Sequence, residues 1–515
     1  MKKIRFCYLS ACLIVCLYLI GSGSAFAEKT LKVGVIRDPV NSRYATPGVE
    51  PYITGVYEQL VAVSPEMTLI PGLATSWKRI DDLTWRFFLR KGVQYHNGKP
   101  FNAETAKFSL DWIVEKILWS KRLRIDKVNI VDEYTIDIVT KVPLAVMPGF
   151  MSHGWTVMSE PESQKAGKVV GTGPFQFDSS VPGEKLVVKK NPNYWQKGYP
   201  VVDKIIFKVI PDDNSRVMAL MGGEVDVALQ IPYPSVSMIE KAEFKTFKTI
   251  TSQWASLSFC IHAKPLDDLR VRQAIGHAID RKTIVDNVLY GLAVASNSPV
   301  LPNTPWSGES SLQGLPFNPK RAEALLDEAG WKMGSKGVRE KNGEPLSITL
   351  RMINQPSVLI SGREMAQVIT EQLGKAGIKA AISVEDTEMF YDQNAAKHKG
   401  HLYLDYHGTF SGELSATLWD SFQPNRETYL EGSAVYGEYI PPVVKKWISA
   451  LQNAQTDKEK EKYLIKISNL VNRDMVLTLP FLNYNMVVGA QKGVNNYDAH
   501  PLFFWPGVWT KVDIQ

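Results

Sequence analysis

The stretch SITLRMINQPSVLISGREMAQVITEQLGKAGIKAAISVED (347–386) decides the fold class of this chain. It begins with the strand-like run SITLRMI (347–353), continues with apolar residues at helical spacing over 363–378, and ends with the strand-like run AAISVED (380–386). Two strands separated by a helix in this order pair in parallel, with the helix as their crossover. The stretch therefore predicts an α/β lobe.

Segments on both sides of this stretch predict the same mixture of elements. LKVGVIRD (31–38) and VLTLPFLNYNMVVGA (476–490) have the composition of strands. DDLRVRQAIGHAIDRKTIVDNVLYG (267–291) has apolar residues at helical spacing and ends at a glycine suited to a C-cap. Together they predict an α/β protein with a mixed sheet.

The first 27 residues have the features of a secretory signal peptide. Basic residues precede an apolar run of roughly 15 residues, which is shorter than the ~20 residues that span a bilayer. Ala25-Phe26-Ala27 is a typical cleavage site. We expect cleavage after Ala27 and a periplasmic location; a lipid anchor is the alternative, but LIVC (13–16) lacks the small residue that precedes a lipidated cysteine.

Cysteine content and charge limit the class of protein further. Three of the four cysteines lie in the predicted signal peptide, so an intrachain disulfide is not expected, and Cys260 is predicted to be a buried small hydrophobic residue. Removal of the three cations of the signal lowers the formal net charge from +6 to +3. Nothing in this balance indicates a nucleic acid partner.

The predicted mature chain contains none of the local motifs that commonly indicate catalysis or nucleotide binding. GxGxxG, GxxxxGK[ST], HExxH and GxSxG do not occur there. An exported hydrolase would need a nucleophile and a base within reach of one another, and no spacing indicates such a pair. We therefore expect a protein that is not an enzyme.

The stretch AAKHKGHLYLDYHGTF (395–410) contains three of the chain's eight histidines. It is open to three interpretations: a metal site, the end of a ligand-contacting strand, or ordinary surface histidines. His398 and His401 stand three residues apart, which places them on one face only in a helix, and they lie among lysines that disfavour a bound cation. We expect both to be solvated in a turn.

The second half of that stretch, HLYLDYH (401–407), is predicted to be a strand. Asp405, Tyr406 and His407 stand at its carboxyl end. Ligands of open α/β sheets bind beyond the carboxyl ends of the strands. These three residues are therefore candidates for the wall of a ligand cleft.

Several segments resemble extracellular solute-binding protein family 5, the oligopeptide-, dipeptide- and nickel-binding components of ABC importers. REKNGEPLSITL (339–350) and DNVLYG (286–291) are particularly similar to the nickel-binding branch, although peptide binders share much of both. The segments that carry the resemblance are LIPGLATSWKRIDDLTWRFFLRKGVQYHNGKPFNAE (69–104), VGTGPFQF (170–177), VKKNPNYW (188–195), VRQAIGHAIDRKTIVDNVLYG (271–291) and AEALLDEAGW (322–331).

The resemblance implies a two-lobed periplasmic binding protein of type II, cluster C. Such a fold has an extra subdomain in the N-terminal lobe and two segments that cross the hinge, and the lobes close on the ligand. The expected division is a signal peptide over 1–27, an N-terminal lobe over 28–265 with the extra subdomain at about 50–165, a C-terminal lobe over 266–480, and a return to the N-terminal lobe over 481–515.

The resemblance also implies ligand contacts from the loop after the strand at 401–407. In this chain the loop reads YHGTFSGELSAT (406–417) and lacks the Asp-Pro pair often found nearby. Asp405 corresponds to the aspartate that anchors the amino group of a bound peptide, and Glu413 is the reserve candidate. If both side chains point elsewhere, a peptide is the wrong ligand.

For the nickel-binding branch, the resemblance places Tyr44 on a cleft tyrosine, Phe410 on a tryptophan, and His153 near an arginine that grips a chelator carboxylate. A histidine lacks the two-pronged guanidinium and a fixed charge at neutral pH, which puts that grip in doubt. Trp155 completes the candidate ligand-binding set. The nickel-coordinating histidine of the C-terminal lobe has no match over 427–475, so no metal ligand is predicted.

The resemblance implies the substrate-binding component of an ABC importer. It would capture a short peptide or a nickel chelate by lobe closure and deliver it to a membrane permease and, through the permease, to the ATPase. We expect a monomer with no cofactor of its own, nickel entering only as part of a bound chelate. The alternative is a protein of the same fold that binds heme or another small polar ligand for sensing or chaperoning.

Overall fold

The computed structural model describes residues 28–39, 54–261, 264–297, 304, 307, 311–312, 314–354, 361–386, 401–409, 411–413, 415, 418, 440–502 and 506–515, with the backbone alone at 118–119, 401, 405 and 506. Tyr44, His398 and Phe410 therefore lie outside the described residues.

The strands are numbered in chain order. They are β1 (Thr30–Val35), β2 (Val61–Val63), β3 (Leu69–Pro71), β4 (Ala74–Arg79), β5 (Thr84–Leu89), β6 (Ile125–Asp132), β7 (Thr135–Thr140), β8 (Phe175–Val181), β9 (Lys185–Lys190), β10 (Lys204–Val209), β11 (Val227–Ala228), β12 (Lys245–Phe259), β13 (Ala293–Ala295), β14 (Lys332–Met333), β15 (Arg339–Lys341), β16 (Glu344–Pro345), β17 (Ser347–Ile353), β18 (Lys379–Glu385), β19 (His401–Gly408), β20 (Thr478–Ala490), β21 (Val494–Asn495) and β22 (Asp513–Ile514).

The helices are numbered in the same way. They are α1 (Ala103–Lys116), α2 (Met147–Phe150), α3 (Pro161–Lys165), α4 (Asp213–Met221), α5 (Tyr233–Lys241), α6 (Leu269–Ala278), α7 (Arg281–Thr283), α8 (Pro319–Glu328), α9 (Gly362–Lys375), α10 (Pro442–Gln452) and α11 (Asp457–Ser468). Wider π turns over Ile284–Val288 and Asn469–Asp474 extend α7 and α11.

An 11-stranded sheet with the strand order β18-β17-β19-β12-β20-β11-β1-β10-β9-β8 is the centre of the fold, and β13 adds to β20. At one end, β17 pairs in parallel with both β18 and β19, and α9 connects β17 to β18. At the other end, β1 lies between β10 and β11 and is parallel to both. The predicted crossover over 347–386 and the mixed sheet are confirmed.

The two longest strands, β12 and β20, lie side by side in the middle of this sheet, between β19 and β11. β12 pairs with β20 along most of its length, its first half beside the β11 end and its second half beside β19. The register of β12 on β20 shifts between Ile250 and Trp254, where the first half gives way to the second. These are the two crossing segments of the expected two-lobed fold; the bounds of the domains within it stay a prediction.

A separate four-stranded sheet, β4-β5-β7-β6, has its own core under helix α1. The helix begins at a reciprocal cap, in which the Asn102 side chain accepts from the Thr105 amide and the Thr105 hydroxyl accepts from the Asn102 amide. Its buried side chains Leu110 and Ile113 pack with Phe87 and Ile136 of the sheet. We call this sheet, α1 and the segment 142–158 the small-sheet region.

A half-buried polar cluster joins the segment before β2 to the loop after β9. The Glu58 carboxylate accepts hydrogen bonds from the Tyr194 hydroxyl at 2.8 Å and from Trp195 Nε1 at 3.0 Å. The guanidinium of Arg90 lies 4.0 Å from the centre of the Trp195 ring. Desolvation raises the pKa of Glu58 to about 7, against these hydrogen bonds, which favour the charged form. We call these four residues the Glu58 cluster.

Two smaller predictions are confirmed, one by burial and one by a backbone dihedral angle. Cys260 is buried in the main core. Gly291 ends the helical pair with a φ of 69°, the left-handed conformation that suits glycine at a helix C-terminus.

Candidate functional site

The end of strand β19 lies beside strand β12 at the point where β12 crosses the sheet. His407 is the cross-strand neighbour of Trp254. Their rings stack with centres 5.3 Å apart and planes inclined by 24°. Trp254 is 3 % exposed and His407 is half-buried, so the histidine forms the outer face of this pair.

The loop after β19 is fixed to β12 by a pair of hydrogen bonds. The Ser252 hydroxyl donates to the Thr409 carbonyl at 2.7 Å, and the Thr409 amide donates to the Ser252 carbonyl at 3.3 Å. The Ser252 amide also donates to the Pro501 carbonyl at 2.9 Å. The first residue of the loop is therefore anchored to the crossing strand β12, because β19 lies inside the sheet and not at its edge.

The same loop then contacts the small-sheet region. The Gly412 amide donates to the Ser152 hydroxyl at 3.1 Å, and that hydroxyl donates to the Gly149 carbonyl at 2.6 Å. Glu413 is buried, and its Oε1 accepts from the Ser415 amide at 2.8 Å within the loop. We call Gly149, Ser152, Gly412 and Glu413 the seam.

Glycine is required at two positions of the seam because the chains approach so closely. A Cβ on Gly149 would lie 2.7 Å from the Cβ of Glu413. A Cβ on Gly412 would lie 2.7 Å from Cδ2 of Leu69 and 3.3 Å from Cγ2 of Val63. Contacts this short are repulsive, so a larger residue at Gly149 would push the small-sheet region and the loop after β19 apart, and one at Gly412 would displace the side chain of Leu69.

His153 follows the seam directly and is 5 % exposed. Its Nδ1 accepts a hydrogen bond from the Trp155 amide at 3.1 Å, and the two rings meet edge to face with centres 5.0 Å apart. Burial, together with the positive charge of Arg122, holds the pKa of His153 well below its usual value of 6.5. The imidazole is neutral at pH 7, so Arg122 and not His153 supplies positive charge here.

Arg122 and Arg124 line a cavity of about 320 Å³ between the small-sheet region and helix α10. The Val146 amide donates to the Gln452 carbonyl at 3.2 Å across the same gap. The lining residues that the structure describes include no Asp or Glu. Such a cavity suits an anionic or hydrogen-bond-accepting group. Its walls are Arg122, Arg124, Val142, Pro143, Leu144, Phe150, Ser449, Gln452 and Asn453.

A second cavity of about 290 Å³ lies where the ends of β1 and β17 meet the starts of α5 and α9. Its walls are mostly apolar, with Gln230, Asn354 and Arg363 among the polar groups. It lies at the carboxyl ends of two strands, where ligands of α/β sheets commonly bind.

The structure brings some of the predicted site residues together. His153 and Trp155 follow the seam on one side, and Glu413 forms it on the other, with His407 close by along the loop. Asp405 is the cross-strand neighbour of Ser256. Tyr406 lies on the opposite face of β19 from His407 and packs against the main core beside Tyr484.

Sequence reasoning missed Gly149, Ser152, Ser252 and Trp254. Each acquires its position through a partner that is remote in the sequence, so no local spacing indicated it. A glycine inside MPGF (147–150) was the one available signal, since glycine in a helical turn often marks a close approach of another backbone.

Two features are absent from the part of the chain that the structure describes. It contains no cluster of three or more His, Cys, Asp or Glu residues that could hold a metal ion. None of its helices combines the length and the apolar character needed to cross a bilayer.

Comparison with known proteins gives the family. The profile of the bacterial extracellular solute-binding proteins, family 5 Middle, matches residues 68–429. The nickel-binding periplasmic protein of Escherichia coli (strain K12) is 26 % identical over 513 residues, which cover 95 % of each chain. The glutathione-binding protein GsiB of Escherichia coli (strain K12) is 30 % identical over 358 residues, 67 % of this chain and 66 % of GsiB.

A solved structure shares the fold over nearly the whole chain. It is NikA from Brucella suis in complex with Fe(III)-EDTA, with a TM-score of 0.83 and 23 % identity, covering 95 % of this chain and 100 % of NikA. These relatives are binding proteins and not enzymes, and the first is periplasmic by name. With two lobes joined by crossing strands and a profile match over most of its length, the chain is a member of the bacterial extracellular solute-binding proteins, family 5.

Proposed function

We propose that this solute-binding protein captures a short peptide or a nickel chelate between its lobes and delivers it to the permease of an ABC importer. The observation that carries the proposal is the seam. It joins the small-sheet region to the loop after β19, so that a ligand held between the two is enclosed when the seam forms. A receptor of this kind works because the ligand binds the closed arrangement better than the open one.

The charge near the seam favours a ligand with a carboxylate. Arg122 is the buried cation beside the neutral His153, and a guanidinium pairs well with a planar carboxylate. Short peptides and organic chelators of nickel both carry such a group. The relatives support both classes, since one is named for nickel and the other for glutathione, a tripeptide.

The remaining parts of the proposal follow from this role. The chain is exported by its signal peptide, cleaved after Ala27, and acts in the periplasm as a monomer. It has no catalytic activity and no resident cofactor; nickel is cargo. Its partners are the permease subunits and, through them, the ATPase. Tyr44, His153, Trp155, Asp405, Tyr406, His407, Phe410 and Glu413 remain the proposed ligand-binding residues.

Native mass spectrometry with metal analysis, on protein purified from the periplasm without unfolding, tests the ligand class. Nickel together with a small chelator mass would support the chelate, and a set of short peptide masses without metal would support the peptide. Isothermal titration with reduced glutathione and with Ni(II)-histidine then measures each affinity. Failure to bind either probe, with no co-purified small molecule, would contradict the proposal.

A matched pair of variants tests the role of Arg122. Arg122→Gln removes the buried cation and should weaken binding of the preferred probe at least tenfold. Arg124→Gln removes the more exposed arginine of the same cavity and should change the affinity less. Equal effects of the two changes would show that the buried charge has no special part in binding.

A further inference from the structure

Asn483, on the crossing strand β20, is a buried polar side chain without a partner. It is 0 % exposed. Neither its Oδ1 nor its Nδ2 atom has a hydrogen-bond partner anywhere in the described part of the chain. Buried amides in folded proteins are almost always hydrogen-bonded, because an unmet donor or acceptor loses its bond to water and gains nothing. An apolar side chain of the same size would avoid that loss, so the amide calls for an explanation outside folding.

The position of Asn483 connects it to the proposed cleft. It is the cross-strand neighbour of Trp254 on one side and of Val294 on the other. Trp254 in turn stacks with His407. The row of side chains across the sheet is therefore Val294, Asn483, Trp254 and His407, fully buried in the middle and half-buried at both ends.

This row lies where the crossing strands β12 and β20 pass from one lobe to the other. The register shift between Ile250 and Trp254 is next to Asn483 along the β12–β20 ladder. A second buried polar atom without a partner, the Ser256 hydroxyl, is two residues from Trp254 on the same strand. Side chains of alternate residues share one face of a strand, so Ser256 faces the same way as Trp254.

We propose that Asn483 is a specificity-determining residue at the inner end of the cleft, where its amide binds an amide-bearing ligand. An asparagine side chain offers one acceptor and two donor hydrogens. A residue of an extended peptide presents its N–H and C=O on the same side and satisfies both groups at once. In a nickel chelate the amine and carboxylate groups are turned toward the metal, so the chelate does not present an N–H and a C=O side by side as an extended peptide does. The ligand reaches Asn483 when the lobes separate, and closure seals the pair.

The inference rests on the proposed function and selects the peptide class within it. Asn483→Leu and Asn483→Val test it, and Asn191→Leu is the control. Asn191 is buried like Asn483, but its Nδ2 donates to the Gly173 carbonyl at 3.0 Å and its Oδ1 accepts from the Asn193 amide at 3.0 Å. The two asparagines match in type and burial and differ in hydrogen bonding.

The measurements are thermal unfolding without ligand and titration with reduced glutathione, a dipeptide mixture and Ni(II)-histidine. We expect both Asn483 variants to keep or raise the Tm of the wild type, whereas Asn191→Leu lowers it. We expect the Asn483 variants to bind the best peptide probe at least tenfold more weakly than the wild type does, with Ni(II)-histidine affinity changed less than twofold.

Three outcomes would overturn the inference. Peptide affinity equal to that of the wild type would remove Asn483 from the site, and a Tm loss as large as that of Asn191→Leu would show that the amide serves folding. A wild type that binds Ni(II)-histidine and no peptide would reject the amide ligand and leave solute capture intact. A wild type that binds none of the probes would instead reject the proposed function itself.

Discussion

The seam and the Glu58 cluster each join segments that are remote in the sequence, but by different chemistry. The Glu58 cluster uses a desolvated carboxylate, two aromatic donors and a guanidinium. The hydrogen bonds across the seam are neutral and run through the Ser152 hydroxyl, two glycines allow close packing, and the buried Glu413 carboxylate bonds within its own loop. Neutral groups are readily rehydrated when they separate, whereas a broken buried charge network leaves unpaired groups. We therefore expect the Glu58 cluster to remain formed and the seam to open.

The largest effect is expected from Glu58→Ala, which removes the central acceptor of the Glu58 cluster. Tyr194 and Trp195 lose their common acceptor, and each unmet donor costs about 1–3 kcal/mol. We expect the free energy of unfolding in urea to fall by about 3 kcal/mol. Glu58→Gln keeps an acceptor and should lose less. Equal losses from both changes would show that the charge, and not the hydrogen bonds, stabilises the cluster.

The next largest effect is expected from Gly149→Ala, which places a methyl group 2.7 Å from the Cβ of Glu413. Overpacking of this kind costs about 1–3 kcal/mol, and here it destabilises the closed arrangement relative to the open one. Ligand affinity should therefore fall about tenfold or more, and small-angle scattering of the liganded protein should show a larger radius of gyration. Gly374→Ala is the control, because nothing lies within 4 Å of a Cβ at that position in α9. A similar affinity loss in both variants would refute the role of the seam.

Acid should act on the two regions in opposite directions. The pKa of Glu58 is raised from 4.5 to about 7, so the folded state binds more protons than the unfolded state between these values, and its contribution to stability falls as pH rises through this window. The pKa of His153 is lowered from 6.5, so its contribution is present above pH 6.5 and is lost as pH falls.

Urea unfolding at pH 5, 6 and 7 measures both contributions. The advantage of the wild type over Glu58→Gln should grow toward pH 5, and its advantage over His153→Gln should grow toward pH 7. Each difference should change by at most about 1.4 kcal/mol per pH unit. Parallel pH profiles for the wild type and both variants would contradict the assignment.

The smallest effect is expected from Ser152→Ala, which removes one hydroxyl from the seam and leaves its packing intact. A neutral hydrogen bond contributes about 0.5–1.5 kcal/mol, so ligand affinity should fall about two- to tenfold. Titration with the preferred probe measures the change, and Ser120→Ala, in which a buried hydroxyl bonds only to the nearby carbonyls of Val114 and Ile117, is the comparison. A Ser152 variant with wild-type affinity would mean that packing alone holds the seam.

Much of the fold could be predicted from the sequence because its signals are local. The strand, helix and strand over 347–386 have periodicities that need no knowledge of the rest of the chain, and they form as expected. The crossing of β12 and β20 could not be derived in this way. It depends on pairing between segments remote in sequence, and only the family resemblance implied it.

The site was less predictable than the fold because its geometry depends on long-range packing. The strand ending at His407 was found from its pattern, but its partner Trp254 was not. The family resemblance placed His153 near an arginine of the nickel-binding branch, and in the structure Arg122, which the sequence did not indicate, lies close enough to lower the pKa of His153. Asn483 lies in a run that reads as an ordinary strand, and only the absence of a partner among the described residues sets it apart.

The crossing strands have a mechanical consequence for transport. Two adjacent strands in one continuous hydrogen-bonded ladder resist bending within the sheet plane and yield most easily by twisting about their length. Opening is thereby confined to a narrow set of trajectories. In the proposed transport role each half would keep its shape while its orientation changes. The permease would then distinguish loaded from empty receptors by the angle between two rigid surfaces, without contacting the cargo.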